Sequence, residues 1–356
     1  FNALSQGAFA VGYAVYKTRV GLALHQRTCA ECTRPHSESV SIPILPDVHV
    51  TIVPILHDNY AYLIVDERSR TCLAVDPADP DRVLDAIRGE GLRLAGILTT
   101  HSHWDHAGGN EEIRHRDPSV KVYGSSVDAV PGLTDTVKEG DMFCFPPRSV
   151  VPDPPVVVQV WEAPCHTKGH ILFVICRHDL LSSGPPEPVA IFTGDTLFSG
   201  GTGKFFEGTA RDMEKNLVRI AGLAGPVKVF CGHEYTVTNY RFAAAVEPDN
   251  AEVQARLSDA VRRRRERQPT MPSTVAEELA TNPYVRIVTS RTACGKLGLA
   301  ICGLCRVTHP SLNLKSSDGA WDSCAVLAEL RRVRDDNAVK LGKDPGGAQG
   351  GEECDH

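Results

Sequence analysis

Short apolar runs separated by turn signals make up most of the chain between residues 49 and 235. The runs "HVTIVPIL", "YAYLIVD", "TCLAVDP" and "LRLAGILTT" have the length and the β-branched content of sheet strands. Further runs of this kind are "VVVQVWEAP", "HILFVIC", "PVAIFTGD" and "PVKVFCGHE". The pattern predicts a sheet-rich region with many buried strands.

Helical patterns lie between these strands and dominate after them. "DPDRVLDAIRGEG" predicts a helix that stops at a glycine, and Thr209 with Asp212 predicts a capping box ahead of an apolar helix face. The last helical pattern is "WDSCAVLAELRRVRDDNAVK". We therefore predict an α/β domain over residues 49–235, a smaller helical domain over 236–345, and a flexible tail over 346–356.

Composition narrows the function classes. The chain of 356 residues has a net charge of −6, so it lacks the basic surplus of a nucleic-acid binder. No run reaches the roughly 18 apolar residues of a membrane span. The twelve cysteines are scattered, many in apolar runs, which favours buried free thiols in a reducing compartment. We predict a monomer in the cytoplasm or the mitochondrion, with no nucleic-acid partner.

Residues 1–48 are interpreted as an N-terminal extension. Its segment "AFAVGYAVYKTRVGLALHQR" is apolar, is interrupted by Lys17 and Arg19, and is followed by no acidic residue before Glu31. This pattern fits a targeting segment or an anchor that touches a membrane surface, and it also fits an ordinary surface helix. Both interpretations remain open at this point.

The stretch "THSHWDHAGGN" crowds ligand-type side chains directly after a predicted strand. His101 and His103 are two residues apart, so in an extended segment their rings leave the same face. Asp105 and His106 follow in a turn that aims them elsewhere. Two separately aimed sets of ligands suggest two neighbouring metal ions.

Three other strand ends carry the same residue types. His166 follows one predicted strand in "APCHTKGH", Asp195 follows another in "IFTGDTLF", and His233 follows a third in "VFCGHEYT". A metal needs a closed coordination shell, and these residues are candidates for closing it. Convergence of four strand ends is therefore expected.

The sequence resembles the metallo-β-lactamase superfamily, and within it glyoxalase II (hydroxyacylglutathione hydrolase) and the related paroxysmal nonkinesigenic dyskinesia protein. The resemblance runs from about residue 50 to 286 and resumes near 321–340. It is carried by "THSHWDHAGGN", "PCHTKGH", "GDTLF", "GKFFEGTA", "CGHEYT", "VEPDN", "PSTVAEE" and "NPYVR". It implies an α/β fold, a four-layer αββα sandwich with the metal site at one edge, and a helical substrate-binding domain.

The resemblance also implies site residues and a cofactor. Two divalent ions are expected, zinc first, with iron or manganese as alternatives. The implied ligands are His101, His103 and His166 for the first ion, Asp105, His106 and His233 for the second, and Asp195 as the bridge. Asp105 and Asp195 count as catalytic, and His170 is expected behind the ligands rather than among them.

A glutathione thioester is the implied substrate. The residues matched to glutathione binding are Lys204, Phe206, Tyr235, Arg331 and Arg334. Arg334 replaces a lysine and Phe206 a tyrosine of the family pattern. An apparent insertion near residues 292–317, ahead of the last helix, could displace that helix and disturb this binding.

The expected reaction converts S-2-hydroxyacylglutathione, typified by S-lactoylglutathione, and water to glutathione and a 2-hydroxy acid, as in methylglyoxal detoxification. A hydroxide shared by the two ions would attack the carbonyl carbon. Since a thiolate has a pKa near 8.5, it leaves without a strong acid. The alternatives are a mononuclear-iron sulfur (persulfide) dioxygenase and a dyskinesia-protein-like member with another substrate or a scaffold role.

Two weaker signals are interpreted as structural. Cys29, Cys32 and His36 have the same spacing as Cys302, Cys305 and His309, which is a spacing seen in zinc sites. Each group offers only three ligands, so free thiols are favoured over a structural zinc ion. The "RRRRER" run lacks interleaved aromatic residues, and a solvated helix face is favoured over a nucleic-acid or membrane contact.

Overall fold

The computed structural model describes residues 34–177, 185–305 and 314–335. A first mixed sheet has seven strands that lie side by side in chain order. They are β1 (Val40–Leu45), β2 (Val48–Ile55), β3 (Asn59–Asp66), β4 (Thr71–Val75), β5 (Arg93–Leu98), β6 (Lys121–Gly124) and β7 (Asp135–Thr136). The predicted strands from "HVTIVPIL" to "LRLAGILTT" correspond to β2, β3, β4 and β5.

The later strands build a second sheet and a short hairpin. They are β8 (Met142–Phe145), β9 (Val156–Glu162), β10 (Ile171–Arg177), β11 (Glu187–Gly194), β12 (Leu197–Phe198), β13 (Gly201–Thr202), β14 (Lys228–Cys231) and β15 (Ser273–Thr274). The six-stranded order is β15-β14-β11-β10-β9-β8, while β12 and β13 form a separate hairpin. That hairpin follows Asp195 directly.

The helices are α1 (Pro80–Gly89), α2 (Trp104–Ala107), α3 (Asn110–Arg116), α4 (Ala210–Ala221), α5 (Thr236–Val246), α6 (Ala251–Arg265), α7 (Val275–Thr281), α8 (Pro283–Thr289), α9 (Arg291–Cys305) and α10 (Ser323–Asp335). The Asp79 side chain caps the first turn of α1, where Pro80 needs no backbone N–H partner. Thr209 and Asp212 form the predicted capping box of α4.

Alternating side chains along the strands separate three layers of core. Phe173 and Ile175 of β10 face the first sheet and pack with its Val50 and Ile64. Val174, between them, faces the helices α4 and α8 to α10. On the outer side of the first sheet, apolar residues pack against α1 and α3. The layers are helix, sheet, sheet and helix, so the predicted αββα sandwich with C-terminal helices is confirmed.

One edge of the sandwich collects the ends of several strands. β4 and β5 are parallel, as are β11 and β14, so within each pair the carboxyl ends lie together. The two sheets are joined there because Ile171 N–H donates to Thr100 O at 2.9 Å and Tyr60 N–H donates to Gly232 O at 2.8 Å. The segments that follow these strands therefore meet in one place.

The first sheet begins before residue 49. β1 lies inside the segment predicted as the extension 1–48 and pairs with β2. Its residues alternate between partial burial and exposure, and Pro43 suits an edge strand, so the apolar signal is weak. Residues 1–33 and 336–356 lie outside the described part, and with them the predicted targeting or anchor segment and the predicted tail.

The segment before β1 rests on the arginine-rich end of α6. Arg264 donates to His36 O at 2.8 Å and to the Ser37 hydroxyl, and Glu38 N–H donates to Arg267 O at 2.8 Å. Both ring nitrogens of His36 are engaged, with Asn59 O and the Ser37 hydroxyl. Part of the "RRRRER" run is therefore an internal contact rather than a solvated face. Cys29, Cys32 and His309 lie outside the described residues.

The segment predicted as an insertion contributes a helix to the core. Leu297 and Ile301 of α9 are fully buried beside Val326 and Leu330 of α10. The last helix is thus docked against α4, α8 and α9. Residues 306–313 lie outside the described part. Within the described residues, the helices are all too short or too polar to cross a membrane.

Candidate metal centre and substrate rim

The seven predicted ligands come together at the shared sheet edge. Ligand atoms within 4.8 Å of one another define three overlapping groups: His101, His103 and His166; His101, His106 and Asp195; and Asp105, His106 and His233. All seven side chains are buried. The first and third groups coincide with the two predicted ligand sets, whose assignment as ligands stays a prediction.

The ring nitrogens converge on common points. His103 Nδ1 lies 3.0 Å from His101 Nε2 and 3.1 Å from His166 Nε2. In the other set, His106 Nε2 lies 3.3 Å from His233 Nε2. Several imidazole nitrogens brought this close to one another are the arrangement that a shared cation stabilises.

Asp195 lies between the two sets. Its Oδ2 is 3.4 Å from both His166 Nε2 and His233 Nε2, and its Oδ1 is 3.3 Å from His106 Nε2. Oδ1 is buried and accepts no hydrogen bond within the protein, despite that short distance to His106. An orphaned carboxylate oxygen among imidazole nitrogens fits a bridging metal ligand, and the nitrogen and carboxylate donor set suits zinc, iron or manganese.

The outer ring nitrogens are held by fixed acceptors. His106 Nδ1 donates to Asp76 at 2.9 Å, His233 Nδ1 donates to Asp58 at 2.9 Å, and His166 Nδ1 donates to Lys204 O at 3.1 Å. Each contact keeps a proton on Nδ1 and turns Nε2 inward, where its lone pair is available to a cation that displaces any second proton.

His101 is held in the same way through a hydroxyl. Its Nδ1 lies 3.0 Å from Thr100 Oγ1, whose own proton is donated to Asp76 at 2.7 Å. Asp76 also accepts from Thr100 N–H at 2.8 Å. One carboxylate thereby orients a histidine in each ligand set.

Electrostatics divide the histidines into two kinds. Burial lowers the pKa of His101, His103 and His166, so these rings are neutral at neutral pH and offer lone pairs. Burial also opposes charge on His106, but the carboxylates of Asp195 and Asp105 outweigh it and raise its pKa to about 10. An incoming cation therefore competes with a proton at His106.

Glycines permit the close approach of the strand ends. Gly194 has φ +46°, and a Cβ there would lie 2.6 Å from Thr100 Oγ1. At Gly232 a Cβ would lie 2.5 Å from Asp195 Oδ1 and 2.6 Å from His106 Cε1. A larger residue at Gly194 would clash with Thr100, and one at Gly232 would clash with Asp195 and His106, so either change would displace groups of the centre.

His170 lies behind the ligands. Its Nε2 accepts from Asp195 N–H at 3.1 Å, and its Nδ1 lies 3.3 Å from Thr196 Oγ1. Its ring stacks on His101 with centroids 4.8 Å apart. Both ring nitrogens contact Asp195 or Thr196, so His170 lies behind the predicted ligands, where the family resemblance places it.

Sequence reasoning missed three polar residues of this centre. Asp58 and Asp76 hold histidines, and Asn59 donates to the carboxylate of Asp105 at 3.0 Å. Their positions in the sequence could have identified the two aspartates. Asp76 lies at the end of the run "TCLAVDP", and Asp58 lies just before "NYAYLIVD". Asp76 lies at the end of a strand of the parallel pair β4 and β5, and Asp58 lies in the turn between the antiparallel strands β2 and β3, so only Asp76 follows the rule for ends of parallel strands.

Two aromatic residues of the predicted substrate set border the centre. The Tyr235 ring stacks on His233, with centroids 4.6 Å apart and planes 6° apart. The Phe206 ring lies edge-on to His166 at 5.0 Å and to His103 at 5.9 Å. Both rings shield ligands from solvent.

The cationic residues lie on the segment after β13 and on α10. Lys204 is partly buried and supplies its carbonyl to His166. Arg331 donates to Thr202 O at 2.7 Å and pairs with Asp335, and Arg334 follows one turn later on the same helix. The structure brings Lys204 and Arg331 to the same segment, next to the metal ligands.

Comparison with known families divides the chain at the last predicted ligand. Residues 56–233 match the family model described as metallo-beta-lactamase superfamily, and residues 234–337 match that of the hydroxyacylglutathione hydrolase C-terminus. The first match contains every predicted metal ligand, and the second contains α5 to α10. Membership of this superfamily implies a dinuclear metal site, which the His and Asp groups fit.

Two relatives share the name hydroxyacylglutathione hydrolase. Hydroxyacylglutathione hydrolase cytoplasmic from Arabidopsis thaliana is 46% identical over 66% of this chain and 86% of its own length. Hydroxyacylglutathione hydrolase from Alkalilimnicola ehrlichii is 42% identical over 67% of this chain and 85% of its own length. The crystal structure of ETHE1 from Myxococcus xanthus aligns with a TM-score of 0.48 and 22% identity, over 83% of this chain and 98% of that chain. The chain belongs to the hydroxyacylglutathione hydrolase family of the metallo-β-lactamase superfamily.

Proposed function

We propose that this protein hydrolyses S-2-hydroxyacylglutathione, typified by S-lactoylglutathione, to glutathione and a 2-hydroxy acid. It is a thioester hydrolase of the hydroxyacylglutathione type, and its substrate is a small glutathione thioester. The observation that carries the proposal is the convergence of two histidine sets around Asp195, beside a segment that bears Lys204 and touches Arg331.

The centre is proposed to hold two zinc ions. His101, His103 and His166 would hold one ion, Asp105, His106 and His233 would hold the other, and Asp195 lies between the two sets. Two bound divalent ions supply Lewis acidity toward a thioester carbonyl and an ionised water at neutral pH. The buried carboxylates of Asp105 and Asp195 would offset part of the charge of such ions.

The surrounding residues keep the ligands in a productive orientation. Asp58 and Asp76 retain the Nδ1 protons of His233 and His106, so both rings keep their Nε2 atoms turned inward. Asn59 holds the carboxylate of Asp105 through a hydrogen bond of 3.0 Å. Because these contacts are buried or half-buried, the geometry is set before the substrate binds.

The rim is proposed to recognise the glutathione part. Glutathione carries two carboxylates, and Lys204, Arg331 and Arg334 offer cations on adjoining segments. Phe206 and Tyr235 exclude water from the reacting carbonyl. The thiolate of glutathione, with an ordinary pKa near 8.5, departs without an acid from the protein.

Thiol release tests the proposal directly. Purified protein is loaded with zinc, its metal content is measured, and it is given S-lactoylglutathione with a thiol reagent. We expect steady release of free thiol at two ions per chain, and loss of release after chelation. Metal-loaded protein that releases no thiol would contradict the proposal.

The remaining alternatives have distinct outcomes in the same preparation. Uptake of one iron with oxygen consumption on glutathione persulfide would identify a sulfur dioxygenase instead. Metal uptake without turnover would favour another substrate or a scaffold role. We also propose that the protein acts in methylglyoxal detoxification, as a monomer in the cytoplasm or the mitochondrion. Size-exclusion chromatography tests the oligomeric state, and cell fractionation tests the compartment.

A further inference from the structure

Asp128 contacts two of the ligand-bearing segments at once. It lies in the segment after β6, and its side chain is 7% exposed. Its Oδ2 accepts from Ser102 N–H at 3.0 Å and from the Thr167 hydroxyl at 2.7 Å. Its Oδ1 accepts from Gly169 N–H at 2.8 Å.

The three donors flank metal ligands along the chain. Ser102 lies between His101 and His103, and Thr167 follows His166. The two segments are otherwise far apart in sequence, and a single carboxylate bridges them. Gly169 completes the contact, since a Cβ there would lie 2.5 Å from the Asp128 backbone nitrogen.

We infer that Asp128 is a positioning residue for the first ligand set, fixing the spacing between His101, His103 and His166. This inference rests on the metal centre proposed above. The second set is held without Asp128, through Asp58, Asp76 and Asn59, and of these three only Asp76 also orients a histidine of the first set. Asp128 is therefore expected to act on one ion of the pair.

The substitution Asp128→Asn isolates this role. An amide has one acceptor oxygen, so its NH2 group must face either Gly169 N–H or the pair formed by Ser102 N–H and the Thr167 hydroxyl. At least one backbone donor loses its acceptor, and the two segments separate. We expect the affinity of one ion to fall about 10- to 100-fold, the range for groups that orient ligands from behind.

Asp66→Asn is the matched control. Asp66 is also buried, and its carboxylate accepts from Ser69 N–H at 2.9 Å and from the Ser69 hydroxyl, with Arg68 at 3.5 Å. It closes the turn between β3 and β4, which carries no predicted ligand. This variant reports the general cost of removing a buried carboxylate that accepts from the backbone.

Cobalt(II) titration followed by visible absorption supplies a readout other than activity. We expect wild type and Asp66→Asn to take up two ions with the same spectrum, and Asp128→Asn to bind one ion weakly with an altered spectrum. Should Asp128→Asn not fold, Thr167→Val removes one donor to Asp128, and Thr167→Ser restores it. If Asp128→Asn or Thr167→Val takes up cobalt as wild type does, the inference about Asp128 is wrong, while the proposed metal centre stands. Wild type that takes up no cobalt overturns the metal centre, and this inference with it.

Discussion

The metal centre and the substrate rim adjoin each other but are held by different means. Each predicted ligand of the centre follows a strand, is buried, and lies within 4.8 Å of other ligand atoms. The rim residues lie on the segment after β13, directly before α5, and on α10, and all are partly exposed. The sandwich alone sets the centre, whereas the rim also depends on docking of the C-terminal helices.

The buried centre and the partly exposed rim should therefore respond differently to substitution, the centre in catalysis and the rim in substrate binding. A buried charged group has few alternative positions, because moving it leaves a neighbour unpaired. A partly exposed arginine keeps access to water and tolerates change. Substitutions in the centre should therefore reduce metal content and kcat, and substitutions in the rim should raise KM.

The largest effect is expected for Asp195→Asn. The amide cannot supply two anionic oxygens to both ligand sets, so the pair of ions is lost or displaced. We expect thiol release to fall by more than about 100-fold, beyond the range for groups that act behind a ligand. Metal analysis and steady-state hydrolysis of S-lactoylglutathione on the same sample measure it.

Asp212→Asn is the control for that substitution. Asp212 lies in the capping box of α4, where the change alters helix capping by about 1 kcal/mol and leaves the centre untouched. Equal losses of activity in the two variants would show that Asp195 acts only through stability.

The ligands could be predicted from sequence, but their supports could not. "THSHWDHAGGN" combines four candidate ligands, three histidines and one aspartate, with a preceding strand, a pattern with few other uses. Asp76 looked like the end of a strand, since its role depends on the parallel pairing that sets β4 beside β5. Asp128 lies in a segment with no periodic pattern, so only the folded chain shows its contacts.

For the rim, the candidate residues could be predicted from the sequence, but the helix contacts that hold them could not. "ELRRVRD" in isolation is typical of a solvated helix face, and the family resemblance marked Arg331 and Arg334 within it. The contact between Arg331 and Thr202 O requires α10 to dock, and that docking depends on Leu297 and Ile301 of α9. The segment interpreted as an insertion supplies those two residues, which the sequence pattern did not indicate.

Asp76→Asn should have the next largest effect. Asp76 Oδ2 accepts from His106 Nδ1 and from the Thr100 hydroxyl, so the amide disturbs a histidine in each ligand set. We expect metal affinity to fall about 10- to 100-fold with folding retained. Competition with a chelator of known affinity measures it, and a variant with unchanged affinity at both ions would contradict this reading of Asp76.

Metal affinity should also depend on pH at one ligand set. Because the carboxylates raise the pKa of His106 to about 10 against the effect of burial, this ring is protonated below that value until an ion displaces the proton. Affinity then rises about tenfold per pH unit for each proton released, from about pH 6 to pH 8. His101, His103 and His166 have lowered pKa values and add no slope there. Chelator competition across this range measures the slope, and a flat affinity at both ions would contradict the assignment.

The smallest effect is expected for Arg334→Ala, because this residue is partly exposed on α10. One exposed ion pair contributes up to about 1 kcal/mol, so KM for S-lactoylglutathione should rise about fivefold while kcat and metal content stay unchanged. Added salt should shrink the difference between variant and wild type, since screening weakens exposed pairs. Arg334→Lys keeps the charge and should recover most of the affinity. A drop in kcat with unchanged KM would place Arg334 in the chemistry instead, and the division between centre and rim would then fail at this residue.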